Sequence, residues 1–222
     1  MNPEIPDDCD LLFLYAPTSD IIDDEKTIIE KYLSDGGKVY LILGDTTSDT
    51  PNLDGIMSDY GLKKVSGYIA DTQRCYQGNY YAIFPQLSLS GDLGSGISNQ
   101  MVLLLNSPGM EKTDTDNDNL TVTPFMQTSD SGYAVTENDQ TQGQYILGAV
   151  STNAISADSS DSDSEDEDDK SDATDTDTKT ARLTVLASAS MISSDITDQL
   201  TTLDNLTLFV NSAVSYTHLT LP

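Results

Sequence analysis

Leu11-Leu12-Phe13-Leu14-Tyr15-Ala16, closed by Pro17, and Val39-Tyr40-Leu41-Ile42-Leu43, closed by Gly44-Asp45, are the stretches whose reading decides the expected fold. Each is a short, continuous apolar run, the pattern of a strand buried on both faces of a parallel sheet. Between them, Asp20, Asp23, Asp24 and Glu25 place negative charge at a helix start. Ile21, Ile22, Ile28, Ile29, Tyr32 and Leu33 then recur at helical spacing until Gly36-Gly37 ends the segment. Positions 11–43 therefore predict a strand-helix-strand unit with the usual right-handed crossover.

Working outward, Asn52 to Tyr60 reads as a short helix stopped by Gly61, and Lys63 to Ile69 as one strand. Tyr80–Leu89, Met101–Leu105, Thr121–Phe125, Tyr133–Thr136 and Tyr145–Ser151 are further strand candidates with polar turns between them, and positions 90–98 form a Gly/Ser-rich loop. Ala181 to Ala187 repeats the buried-strand pattern, and Asp195 to Val214 suits a final helix. The predicted fold class is α/β, a Rossmann-like, mostly parallel sheet flanked by helices.

Positions 156–180 are nearly all Ser, Asp, Glu, Thr and Ala, and hold 11 of the 37 acidic residues against 2 of the 10 basic ones. Such a stretch cannot bury enough apolar surface to offset chain entropy. It is expected to be a disordered acidic insertion inside one domain, whose main part is 1–155 and whose last strand and helix are 181–214. The rest of the chain stays strongly acidic within a formal net charge of −27, which a phosphate backbone or an anionic lipid surface would repel. Nucleic acid is thus not an expected partner. No apolar run approaches the roughly 20 residues of a membrane-crossing helix.

The groups that carry chemistry are sparse. The one histidine, His218, lies near the C-terminus, so a Ser-His-Asp or Cys-His arrangement has no imidazole within positions 1–214. Cys9 precedes its strand and Cys75 is expected in a polar loop, so both are read as structural thiols. Gly91, Gly94 and Gly96 make an incomplete glycine-rich loop, and Tyr15-Ala16-Pro17-Thr18 occupies the turn where a dinucleotide fingerprint would sit. Asp114, Asp116, Asp118 and Asn119 begin like a calcium loop, but Phe125 stands where the bidentate acid belongs, so an Asp/Asn-rich turn is preferred. No catalytic residue, metal ligand or cofactor is predicted. If the sheet is parallel, Asp20, Asp45 and Ser190 fall near the carboxyl ends of strands, where open α/β sheets bind ligands. They are the candidate ligand-binding residues, with helix caps and loop polars as the plainer alternative.

Four stretches taken together resemble the extracytoplasmic domain of the gliding-motility-type auxiliary proteins of ABC transport systems. They are Cys9–Pro17 with its following helix, Asn52–Leu62, Val122–Ser129, and Leu183–Ser188 with Asp204–Val214. The resemblance implies a Rossmann-like sheet related to class I glutamine amidotransferases but without their catalytic residues. It further implies a non-catalytic accessory domain at the cell membrane, on the extracytoplasmic face, with permease and ATPase subunits as partners. Membrane tethering would come through segments outside this chain. An amidotransferase-like hydrolase with an unusual site and a purely structural spacer are the alternatives. Two departures stand out. The chain begins where the family would already have a membrane helix and a first strand, so an N-terminal truncation is expected. Ala187-Ser188-Ala189-Ser190 replaces the Gly-Asp often found after the late strand. Residues 215–222 do not continue the family pattern and are expected to be a non-native tail.

Overall fold

A computed structural model describes residues 4–44, 49–155 and 179–214. The first elements are β1 (Leu12–Tyr15), α1 (Asp23–Ser34), β2 (Lys38–Ile42) and α2 (Pro51–Asp59). Strands β3 (Leu62–Val65), β4 (Tyr68–Asp71), β5 (Cys75–Tyr76), β6 (Asn79–Ile83), β7 (Gln86–Leu87), β8 (Leu104–Leu105) and β9 (Gly109–Lys112) follow. The chain continues through β10 (Leu120–Gln127), β11 (Gly132–Val135), β12 (Gln140–Gln142), β13 (Ile146–Ile155) and β14 (Lys179–Leu186), and ends in α3 (Ser194–Thr197) and α4 (Asn205–Val214).

The strand-helix-strand unit forms as its sequence predicts. β1 and β2 pair in parallel with Leu12 opposite Val39 and Tyr15 opposite Ile42, and α1 connects them. Glu25 closes the helix start by accepting from the Ile22 amide at 3.1 Å. β14 pairs in parallel with the far side of β2, Leu183 opposite Val39.

The Rossmann-like assignment fails beyond this edge. The main sheet runs β1-β2-β14-β13-β10-β7, with β9 joined to β13 and β3 to β9, and among the described residues every pairing except β1–β2 and β2–β14 is antiparallel. Two three-stranded antiparallel sheets, β12-β11-β4 and β5-β6-β8, complete a strand-rich mixed α/β fold. The physical reason lies in the connections. A parallel pairing needs a crossover of a dozen or more residues, usually a helix, as α1 supplies between β1 and β2; from β3 to β14 the described residues hold no α-helix, and β5–β6 and β11–β12 are joined by short antiparallel turns. Gln77 and Gly78, with φ of 50° and 79°, supply one such turn between the paired Tyr76 and Asn79.

Two expected elements also divide. The strand expected over 63–69 breaks at Gly67 (φ 85°), which sends β3 to the main sheet and β4 to another. A Cβ at Gly67 would run into the Val135 carbonyl, so only glycine makes this passage. The expected final helix splits into α3 and α4, because Asp204 starts a new helix by accepting from Leu208 N through its own carbonyl.

One apolar core spans the main sheet and its helices, with Tyr40, Leu41, Ile42, Phe125, Leu183 and Val185 among its buried members. A small satellite of Ala82, Leu103 and Ile196 packs under α3. The expected acidic insertion lies outside the described residues up to 178, and β14 begins at Lys179. The expected tail, 215–222, is also outside them.

Candidate functional site

At the carboxyl ends of the parallel strands, Ala16 (φ 42°) turns the chain out of β1 into Pro17. Gly44 follows β2 so closely that a Cβ there would sit 2.5 Å from the Pro17 carbonyl oxygen. Asp20 projects from this turn toward α2. Its two carboxylate oxygens accept from Asn52 N at 2.9 Å and Leu53 N at 3.1 Å. Asn52 answers by donating its side-chain amide to Ile21 O and Asp23 Oδ1. Asp20 is therefore the acidic cap of the α2 N-terminus, where exposed N–H groups and the helix dipole favour a carboxylate.

Ser190 serves another segment. Its Oγ accepts from Leu105 N at 2.8 Å and lies 2.7 Å from Ser188 Oγ, which also reaches Leu105 O. The pair ties the end of β8 to the turn after β14. The structure thus gives Asp20 and Ser190 separate partners, and Asp45 lies outside the described residues.

Two further carboxylates, which the sequence did not single out, each accept four hydrogen bonds. Asp71, fully buried at the end of β4, accepts from Gln73 N, Arg74 N, Ser129 N and Ser129 Oγ. Burial pushes its pKa up, but these four donors outweigh it and hold the carboxyl below the usual range. Asp204 accepts from Ser98 N, Ser98 Oγ, Asn99 N and Met101 N, with the same net lowering against the same opposing burial. The 90–98 stretch is accordingly fastened: Asn211 donates to Leu93 O and Ser95 O, and Asp204 holds Ser98. The signal for both aspartates was a short polar residue beside a strand or helix end, which is common to many turns.

A concavity lies elsewhere. A groove of about 320 Å³ opens where β3 and β9 meet the β11–β12 hairpin, lined by Lys63, Lys64, Glu111, Thr136, Asp139 and Tyr145 among others. Lys63 pairs with Glu111 at 3.5 Å; Lys64 donates to Thr50 Oγ1 at 2.9 Å and lies 3.5 Å from Asp54. Lys63, Glu111 and Asp139 give the groove both signs of charge, while the Lys64 ammonium is held by Thr50 and Asp54 of the α2 segment. Adjacent lysines in an acidic chain were the available clue.

Cys9 and Cys75 are both free thiols, and Cys75 lies in β5 rather than in a loop. Asp114, Asp116 and Asp118 sit exposed in the β9–β10 connection, where Asn117 accepts from Asn119 N to make a turn. Among the described residues there is no group of three or more His, Cys, Asp or Glu side chains placed to hold a metal, and no helix is long and apolar enough to cross a membrane.

The fold and these clusters define a mixed α/β domain whose best-placed carboxylates and hydroxyls bind its own backbone. The chain belongs to the family described as ABC-type uncharacterized transport system, whose sequence profile matches residues 1–212. Membership makes it an auxiliary component of an ABC-type transport system. A solved structure titled mmIFT52 N-terminal domain shares the fold, with a TM-score of 0.59 at 13% identity over 96% of this chain and 79% of that one. No curated protein matches the chain.

Proposed function

We propose that this chain is a non-catalytic accessory domain on the extracytoplasmic face of the membrane, where it contacts the permease of its transport system or senses a ligand for it. The observation that carries this reading is the family match over residues 1–212. The bonding of Asp20, Asp71, Asp204, Ser188 and Ser190 supports it, because each of these groups has backbone partners that hold the fold. A strongly acidic domain also favours protein or small-molecule contacts over anionic lipid.

For the sensing role, the groove beside Lys63 is the candidate, because its lining of Lys63, Glu111, Thr136 and Asp139 suits a polar ligand. The test is co-purification of the full-length gene product with a permease and an ATPase, together with protease accessibility in intact spheroplasts. Recovery of all three proteins and cleavage from outside are expected. A solitary protein protected inside the cell would overturn the proposal.

A further inference from the structure

The groove between the main sheet and the β11–β12 hairpin has two walls that differ in charge. On the first, Lys63 of β3 stands directly opposite Glu111 of β9, and their solvent-open side chains meet at 3.5 Å. Lys64 is turned to Thr50 and Asp54. Each cation of this wall is thus matched by a carboxylate.

The second wall is the turn between β11 and β12. Thr136 N donates to Asp139 O at 2.9 Å and Asp139 N to Thr136 Oγ1 at 3.0 Å, so the turn is closed on itself. Asp139 Oδ1 accepts from Gln140 N at 2.8 Å, and Oδ2 has no partner among the described residues. None of the ion pairs among those residues includes Asp139. Ala134 and Tyr145 form a buried floor, with the Tyr145 phenol donated to Thr141 O at 2.7 Å. Ser66 and Thr141 add exposed hydroxyls to the lining.

From this arrangement we infer that the groove binds a small hydroxylated ammonium ion, an amino sugar in its simplest form. The ammonium lies against Asp139, the ligand hydroxyls bond to Ser66 and Thr141, and the apolar face of the ring covers Ala134. An anion is the poorer ligand, because the lysines are already matched and Asp139 is not. The net charge of −27 on the whole chain also gathers cations and repels anions. At about 320 Å³ the groove is at the small end of ligand sites, which suits one ring better than a chain of them. This ligand class deepens the sensing role proposed above and rests on it.

The probes are glucosamine, glucose and glucuronate, which share one ring form and differ in charge. Each is titrated into the full chain at about pH 6, where an amine is protonated, and the Ala134, Thr141 and Tyr145 amide resonances report occupancy. Glucosamine should bind most tightly and glucuronate least, and added salt should weaken glucosamine. Asp139→Asn keeps the acceptor that Gln140 N needs, so the turn holds its shape. It should weaken glucosamine about tenfold and leave glucose nearly unchanged. Lys63→Ala frees Glu111 and should tighten glucosamine; weaker binding there would overturn the proposed placement of charge. An unchanged thermal melt shows that each variant is folded. Equal binding of the three sugars, or tighter binding of glucuronate, would overturn the ligand class and leave the groove as a sensing site. No shift at the three amides with any of the sugars would overturn the groove as a site, while the accessory role stands or falls separately on co-purification.

Discussion

The phenol of Tyr40 on β2 lies 2.6 Å from the hydroxyl of Ser212 on α4. Ser212 donates its own proton to Phe209 O at 2.8 Å, which leaves Tyr40 as the donor between them. This buried contact joins the parallel edge of the sheet to the last helix, and it sits directly beneath the Phe13 and Phe209 rings that pack on Tyr40.

Tyr40→Phe should therefore lower stability by about 1 kcal/mol, the usual net value of one such bond. The pH dependence follows from burial, which raises the Tyr40 phenol above its ordinary value against a smaller lowering by Ser212, and pushes Tyr60 up to about 12. Up to about pH 10 both phenols keep their protons whether the chain is folded or unfolded. Above that the unfolded chain ionises first, so stability falls as pH rises. Urea melts from pH 9 to 11 should show this decline, with a shallower slope in Tyr40→Phe. An identical slope would mean that Tyr40 does not contribute.

Asp71 and Asp204 act at the other end of the scale. Their folded carboxyls titrate below the usual carboxylate value, so their contribution is complete above about pH 4 and is lost as pH falls through the folded values. Asp71→Asn keeps the shape but gives up charge-assisted bonds, and should cost about 2–3 kcal/mol at pH 7. Measured against pH, that difference should shrink below pH 4 as the wild-type carboxyl is protonated. A constant difference from pH 7 to 2 would show that charge is not the cause.

The sequence carried the strand-helix-strand unit because Val39–Leu43 is buried on both faces, Leu12 and Leu14 of β1 pack against the core, and α1 buries Ile29 and Leu33; β1 itself departs from the doubly buried reading, since its Phe13 and Tyr15 are exposed. The sequence also carried β14, whose Leu183 and Val185 are fully buried. The antiparallel majority was not legible, since a buried apolar run reads the same in either direction and only the partner decides. The break at Gly67 depends on the approach of Val135, which lies far along the chain. Asp20 lies just beyond the end of β1, but its partners Asn52 and Leu53 are more than thirty residues away in sequence. Asp71 and Asp204 were overlooked for the same reason: the donors that define them include Ser129 and Ser98, brought in by tertiary structure.

Thr184 illustrates a remaining imperfection in the core. It is fully buried on β14, and its Oγ1 has no hydrogen-bond partner among the described residues. An unsatisfied buried hydroxyl costs about 1–3 kcal/mol, and valine has nearly the same shape and favours strands. Thr184→Val is expected to raise stability by about 1 kcal/mol, read as a higher urea midpoint with unchanged slope. A lower midpoint would show that the hydroxyl is in fact bonded in solution.

The longest strand pair makes a prediction about the chain between its members. Ile155 of β13 and Lys179 of β14 are cross-strand partners, although positions 156–178 separate them in sequence. Ala154 N donates to Asn119 O on the β10 side, so alternation turns the main chain of Ile155 toward β14. That is the geometry a two-residue hairpin turn closes. Replacing 156–178 by asparagine-glycine should leave the fold intact, because the deleted residues hold no large apolar side chain that a core could lose. It should raise stability by about 1–2 kcal/mol, since the shorter loop costs less entropy to close and many carboxylates are removed. The measurement is a thermal melt of both proteins at low and high salt. A part of the gain should disappear at high salt, where carboxylate repulsion is already screened. Loss of cooperative unfolding in the shortened chain would show instead that residues 156–178 support the domain.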